Sequence, residues 1–253
     1  MIGNLSGEKR FLGILGLLIL ICSHGHVKAD IVNEEDSTIS DIFLPLESKP
    51  LNIAEVDSLG TDSADRYVHL TESDFLLVAE ELDVEVAAIK AVVEIEAGSA
   101  MKGFWGPGIP VINFDRTMYL KYRSKVSSQE GAKGEKVPEG LTGYALKEYT
   151  QLIEARKTNA MGANMGTFWG MFQIGGFNYK ICGCESVDEF VRRISYSELE
   201  QLQLFALFIT NTGMVESLRK KDWSGFARKY NGKSYAKRGY HTKLAKAYAK
   251  YKN

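Results

Sequence analysis

The chain has 253 residues, a formal net charge of −1 and 45% hydrophobic residues. The near-neutral balance gives no overall basicity that would favour nucleic acid as a partner. The apolar share is sufficient for a buried core, and the length fits one domain with a tail.

The N-terminus is predicted to be a secretory signal peptide. Lys9 and Arg10 precede an unbroken apolar run, 11–22, and a short polar stretch then ends in Ala29. A charged region, an apolar region and a small-residue cleavage site follow one another in this order in signal peptides. The run of about a dozen residues is shorter than the roughly 20 of a spanning helix. We therefore predict cleavage after Ala29 and export to the periplasm or beyond the cell, with no stable membrane span afterwards.

Two alternatives stay open for the same segment. The apolar run could be retained as an anchor, or Cys22 could be lipidated as in a lipoprotein. Ile21 stands before that cysteine, where small residues are usual, so cleavage after Ala29 is preferred.

The mature chain is divided into an acidic lead-in and a folded domain. Loss of 1–29 leaves 28 of the 31 basic and 31 of the 32 acidic residues, a balance of −3. Residues 30–65 are polar and weakly periodic, and an extended conformation is predicted for them. The folded domain is predicted to span 66–253. From Ser217 onwards Asp222 is the sole acid, which indicates either a solvated basic face or attraction to an anionic polymer such as a cell wall.

Helical patterns dominate the folded domain, so the predicted class is mainly α. Thr71 to Asp74 forms a capping signal, and Asp83 is predicted to cap the second helix, which Gly98 ends. A Gly- and Pro-rich loop with a small hairpin is expected at 103–113, and an apolar aromatic stretch follows at 169–177. The predicted helices are 75–82, 84–97, 116–126, 144–156, 187–194, 197–211, 214–230 and 240–251.

Cys182 and Cys184 are the cysteines that remain after cleavage. One residue separates them, so a disulfide would close a small strained ring. No histidines cluster with them, which makes a poor metal site. We predict neither a disulfide nor a metal site there, and no cofactor.

Two glutamates near the end of the second predicted helix differ in helical phase. Glu94 follows Lys90 by one turn, which is the spacing of a solvated ion pair. Glu96 follows Val93, Val92 and Ile89 by three, four and seven residues, and so ends the apolar stripe. Burial and the negative end of the helix dipole both raise the pKa of such a carboxyl. A raised pKa suits a general acid of a glycosidase, although a structural glutamate that reaches water fits the spacing as well.

A second motif, Gly-x-x-Gln-Ile at 170–174, is shared with lysozyme-like glycan hydrolases, in which it lines the cleft opposite a helix-terminal glutamate. More narrowly, the chain resembles the bacterial and phage N-acetylmuramidase family. The segments that carry this resemblance follow the family's order: 88–96, 112–116, 168–179, and 227–232 with 235–237 and 239–245.

The resemblance implies a lysozyme-like multi-helix domain with a small β-hairpin region, and hydrolysis of the bond from N-acetylmuramic acid to N-acetylglucosamine. By position, Glu96 resembles the family's catalytic acid. Asp115 stands where the family more often has glutamate and is the candidate second carboxylate. The turn from Gly98 to Gly103 is slightly longer and bulkier than the family's.

Further residues of these segments are expected to bind the glycan. Gln173 offers donor and acceptor groups for acetamido or hydroxyl contacts. Trp169, Tyr230 and Tyr235 offer flat faces for sugar rings, and Asn231 has a family counterpart beside the cleft. The partner implied is the peptidoglycan glycan strand, cleaved by a monomer. A lytic transglycosylase and a non-catalytic glycan-binding module are the alternatives.

Overall fold

A computed structural model describes residues 69–98, 101–126 and 134–252. The predicted signal peptide, the acidic lead-in and Cys22 lie outside these residues. The described helices are α1 Glu72–Leu82, α2 Val86–Ala97, α3 Arg116–Arg123, α4 Gly143–Thr158, α5 Ala160–Met165, α6 Val187–Ile194, α7 Glu198–Asn211, α8 Val215–Arg219, α9 Trp223–Asn231 and α10 Tyr240–Lys252. The strands are β1 Phe104–Gly106, β2 Ile109–Pro110, β3 Ile112–Phe114, β4 Thr167–Trp169 and β5 Ile174–Gly175. The mainly α class with a small β region is thus confirmed.

The N-terminal cap of α1 is formed as the sequence predicts, but the start of α2 is not. Thr71 accepts a hydrogen bond from the Asp74 backbone, and Asp74 bonds back to the Thr71 N–H. Asp83 does not cap α2, since it ends α1 in a left-handed conformation with φ 51°. A short polar residue at a helix boundary fits either end, and here it stops the first helix.

α2 is the central helix of the fold. Its side chains at Ile89, Val92 and Val93 are fully buried, and α10 packs along it with α1 on another side. Gly98 follows the last turn with φ 77°, in the region that glycine adopts without strain, and confirms the predicted end of the helix.

Two small antiparallel sheets lie between the helices. β1 and β2 form the predicted hairpin. β3 pairs with β4 and β4 with β5, so the aromatic stretch that begins at Trp169 contributes to a three-stranded sheet. This sheet holds the Gly-x-x-Gln-Ile motif as the connection between β4 and β5.

The predicted helix 214–230 is wrong in one respect, because the chain breaks it in two. Lys221 adopts a left-handed φ of 54° between α8 and α9, and Asp222 then caps α9 through the Gly225 N–H. The short helix α5 was also not predicted. Cys182 and Cys184 are buried free thiols. Within the described ranges, no helix is long and apolar enough to cross a membrane.

Candidate active site

Glu96 occupies the last turn of α2 with its side chain directed into the protein. The residue is 1% exposed, as its place in the apolar stripe predicts. Within the described part of the chain, neither carboxyl oxygen has a hydrogen-bond partner of normal geometry. A buried polar group without a partner is rare in native proteins and calls for an explanation beyond packing.

Burial raises the pKa of Glu96 to about 8, because a charged carboxylate is poorly solvated at this position. The Asn231 amide opposes this shift and lowers the pKa, which places that side chain against the carboxyl. The amide oxygen and nitrogen of Asn231 are also buried without a hydrogen-bond partner in the described structure. The contact between Asn231 and Glu96 therefore does not have hydrogen-bond geometry. The carboxyl is therefore protonated at neutral pH and retains unused hydrogen-bonding capacity.

Two tyrosines complete the surroundings of Glu96. Burial raises the pKa of Tyr230 and of Tyr240, and the negative charge that Glu96 carries once it is deprotonated raises both further. The Tyr230 hydroxyl donates to the Phe172 carbonyl over 2.8 Å, which joins α9 to the segment that carries Gln173. Four parts of the fold thus come together around Glu96 and Tyr230: the ends of α2 and α9, the start of α10 and the β4–β5 connection.

Gln173 is held in an unusual backbone conformation. Its φ is 49°, in the left-handed region that non-glycine residues seldom adopt. Its Nε2 donates to the Gly170 carbonyl over 2.9 Å, so the side chain closes the turn of its own motif. The residue is 3% exposed. Strained backbone of this kind is found disproportionately at functional sites, and glycan binding by Gln173 stays a prediction.

A clamp that the sequence did not reveal fixes this turn against the chain that follows α2. Gln201 on α7 accepts from the Met171 N–H and donates to the carbonyls of Gly103 and Ile194. Glu198, also on α7, accepts from the Gly103 N–H over 2.9 Å. Both side chains are buried. The sequence does not reveal their partners, because those partners lie far away along the chain.

The prediction that Trp169 and Tyr230 present faces to sugar rings is wrong for this structure. Each is 1% exposed. The Trp169 ring nitrogen donates to the Asn164 carbonyl, and Tyr230 stacks on Phe226 with ring centroids 5.7 Å apart. Both rings belong to the core. The sequence did not reveal this, because aromatic side chains in an interior and in a cleft share the same signature.

Of the other predicted binding residues, Asn231 lies beside Glu96 as described, and Tyr235 lies on the loop after it. Tyr235 is half-buried and meets His241 edge to face at 5.5 Å. More exposed aromatic surface lies near the hairpin, where Trp105 and Tyr144 line a shallow depression and meet at 6.1 Å. Asn113 donates to the Tyr144 hydroxyl there.

Asp115 begins α3 directly after β3. Its Oδ1 accepts hydrogen bonds from the backbone N–H groups of Thr117 and Met118, so the carboxylate caps the helix. None of the interactions of Glu96 described above involves Asp115. The structure therefore gives this carboxylate a defined structural task, and a role in the reaction stays a prediction.

The predicted pair of Glu94 with Lys90 is wrong. Lys90 binds Glu72 of α1, and Glu94 accepts from Lys250 and Tyr251 of α10. Helix spacing permitted the local pair, but partners on the neighbouring helices replace it. Glu94 still differs from Glu96, as the helical phase predicts, because it is paired and partly exposed.

A mainly helical domain with a small antiparallel sheet and a buried glutamate at the end of its central helix has a lysozyme-like fold. The N-acetylmuramidase family profile matches residues 85–252, so the chain belongs to the N-acetylmuramidase family and is a peptidoglycan hydrolase.

Comparison with solved structures supports the same assignment. The chain is 34% identical in sequence to the Burkholderia AP3 phage endolysin, whose crystal structure matches it with a TM-score of 0.62. The match covers 73% of this chain and 71% of the endolysin chain. Curated protein sequences give no significant match.

Proposed function

We propose that the protein hydrolyses the β-1,4 bond between N-acetylmuramic acid and N-acetylglucosamine, with Glu96 as the general acid. The observation that carries this proposal is the protonated, unpartnered carboxyl of Glu96 at a point where four elements meet. Such a group can donate its proton to the bridging oxygen without first displacing a salt-bridge partner. The predicted export through residues 1–29 would bring the enzyme to its polymer.

In the proposed reaction, the Glu96 proton moves to the glycosidic oxygen as the bond from that oxygen to the anomeric carbon breaks. Positive charge develops on the sugar ring, and a water oxygen then bonds to the anomeric carbon and releases a proton. Asp115 is proposed to accept that proton. Attack from the opposite face would invert the anomeric centre.

The Glu96 carboxyl is covered, so the substrate must gain access to it. We propose that a sugar hydroxyl or acetamido group replaces the contact of Asn231 with Glu96. The Asn231 amide has both of its polar atoms buried without partners, so it gains hydrogen bonds when a polar ligand arrives. The exposed ring of Tyr144 and the half-buried ring of Trp105 are proposed to take the stacking role that Trp169 and Tyr230 do not fill.

A lytic transglycosylase is the second candidate, because Asp115 already caps α3 and that reaction needs no second carboxylate. In that reaction the substrate's own hydroxyl attacks, and Glu96 carries out both proton transfers. The product then has an anhydromuramic end in place of a reducing one.

Mass spectrometry of peptidoglycan fragments released by the wild-type protein separates these reactions. We expect reducing N-acetylmuramic acid ends. Anhydro ends would instead establish the transglycosylase, and reducing N-acetylglucosamine ends would exclude both. Asp115→Asn tests the second carboxylate in the same assay, with a large loss of rate expected and with unchanged thermal unfolding as the control, since asparagine retains the capping oxygen.

A further inference from the structure

The loop that joins α9 to α10, residues 232–239, carries cations that lack carboxylate partners. Lys233 and Lys237 lie on this loop and Lys243 lies in the first turn of α10, and all three are exposed. In the described part of the chain, none of them forms an ion pair or a hydrogen bond to an acidic residue. We call these three lysines the basic rim.

Cations at the other end of α10 are in a different state. Lys250 binds Glu94, while Lys221 and Lys252 bind Glu85. Acidic side chains of the α2 region thus neutralise that end. That end of α10 is therefore partly neutralised, whereas the three lysines of the basic rim are not.

The basic rim is anchored at Glu96 on both sides. Asn231, which immediately precedes the loop, contacts the Glu96 carboxyl, and Tyr240, which immediately follows it, lies within electrostatic reach of the same group. Arg238 in turn interacts with the Tyr240 side chain. Because both ends of this eight-residue loop lie near Glu96, Lys233 and Lys237 lie at the margin of the candidate active site, and Lys243 follows Tyr240 within the first turn of α10.

The proposed function determines which anions would meet these cations. Cleavage at the anomeric carbon of N-acetylmuramic acid requires that sugar to lie at Glu96. The same sugar bears the lactyl group and the stem peptide, whose free carboxylates are the negative charges of a peptide-substituted strand. We propose that the basic rim is a binding site for the carboxylates of the stem peptides, so that the enzyme prefers strands that carry anionic peptides. This inference rests on the proposed function.

The test uses purified sacculi from which phosphate-containing accessory polymers have been removed, and sacculi that retain these polymers are assayed in parallel. One portion is left unmodified, and in another the peptide carboxylates are converted to neutral amides by carbodiimide coupling. The rim variant Lys233→Gln, Lys237→Gln, Lys243→Gln is compared with wild type and with a control that loses the same charge elsewhere. That control is Lys136→Gln, Lys157→Gln, Lys180→Gln, on exposed positions outside the loop and α10.

Wild type should release fragments from unmodified sacculi roughly five- to tenfold faster than from amidated sacculi at low salt, since several exposed charge pairs each contribute modestly. The rim variant should be slower on unmodified sacculi by a similar factor, should not respond to amidation and should lose most of its salt dependence. The control variant should behave like wild type.

Three results would overturn the inference. In the first, the rim variant cleaves unmodified sacculi at the wild-type rate. In the second, the rim variant is slower than wild type by the same factor on unmodified and on amidated sacculi. In the third, the rim variant differs from wild type only on sacculi that retain accessory phosphate polymers. The last result would assign the rim to phosphate. If wild type releases no glycan fragments at all, the proposed function fails, which is a distinct outcome.

Discussion

Glu96 combines complete burial with a carboxyl group that has no full hydrogen-bond partner in the described structure. Its pKa is about 8 in the folded state against 4.5 for an ordinary glutamate, so the native protein binds the extra proton more tightly than the unfolded chain. Stability must then fall as pH rises between these two values, and must level off above the higher one.

We expect Glu96→Gln to remove this pH dependence. Glutamine resembles the protonated acid, so the variant should match wild type near pH 4 and exceed it by a few kcal/mol above pH 8, at roughly 1.4 kcal/mol per pKa unit. Denaturant unfolding across this pH range measures the difference. Equal pH profiles of unfolding for variant and wild type would contradict the burial of a protonated Glu96.

Glu94→Gln is the matched control and should behave in the opposite way. Although partial burial raises the pKa of Glu94, hydrogen bonds from Lys250 and Tyr251 outweigh it and leave the pKa lowered. The glutamine variant should therefore be less stable than wild type at neutral pH, and the difference should vanish as pH falls through the lowered pKa.

Asn231 is expected to tune the pH range of activity. Its amide lowers the pKa of Glu96, so Asn231→Leu should raise that pKa further and move the alkaline limb of the pH profile of kcat/KM to higher pH. The position of the alkaline limb is determined from the rate of fragment release from sacculi at several pH values. A limb that stays in place, or one that moves to lower pH, would show that Asn231 does not act on Glu96.

At the scale of elements, the clamp on α7 determines how the chain after α2 meets the β4–β5 turn. A Cβ on Gly103 would lie 2.3 Å from Oε1 of Gln201, so a side chain there must displace the amide that binds Met171. At Gly106 a Cβ would meet only the Ile109 methyl group at an ordinary 3.5 Å.

Gly103→Ala should therefore lower the free energy of unfolding by about 1–3 kcal/mol, whereas Gly106→Ala should change it little. Chemical denaturation of the two variants beside wild type checks this difference. Similar losses at both positions would mean that Gln201 does not hold Gly103.

The elements also show what the sequence can and cannot reveal. The phase of Glu96 follows from three apolar neighbours on its own helix, so local periodicity suffices to predict its burial. The sequence pattern places Asp83 at the wrong helix and does not reveal the break at Lys221, because their left-handed conformations occur without glycine. The partners of Gln201 and the burial of Trp169 depend on elements far apart in the chain, which periodicity does not report.

At the scale of the whole molecule, α10 closes the fold by packing on α2 and supplies Tyr240 to the surroundings of Glu96. Leu244 in the same helix is fully buried. The C-terminal helix is therefore part of the domain, as the extent of the family match to residue 252 also indicates.

The proposed domain boundary gives a direct prediction. A chain that begins at residue 66 should unfold within about 2 °C of one that begins at residue 30, because the core of the described residues begins at Phe75. A chain that ends at Gly239 should lose cooperative unfolding, since it lacks Leu244 and Tyr240. Calorimetry of the three chains checks both statements. A large drop in the unfolding temperature on removing 30–65 would show that the folded domain begins before residue 66.

The central claim is that Glu96 donates the proton that breaks the glycan. The most direct measurement is the rate of fragment release from purified sacculi by wild type, Glu96→Gln and Glu94→Gln, with binding to sacculi measured in parallel. We expect Glu96→Gln to bind but release no detectable fragments, and Glu94→Gln to cleave at close to the wild-type rate. Cleavage by Glu96→Gln at the wild-type rate would contradict the assignment.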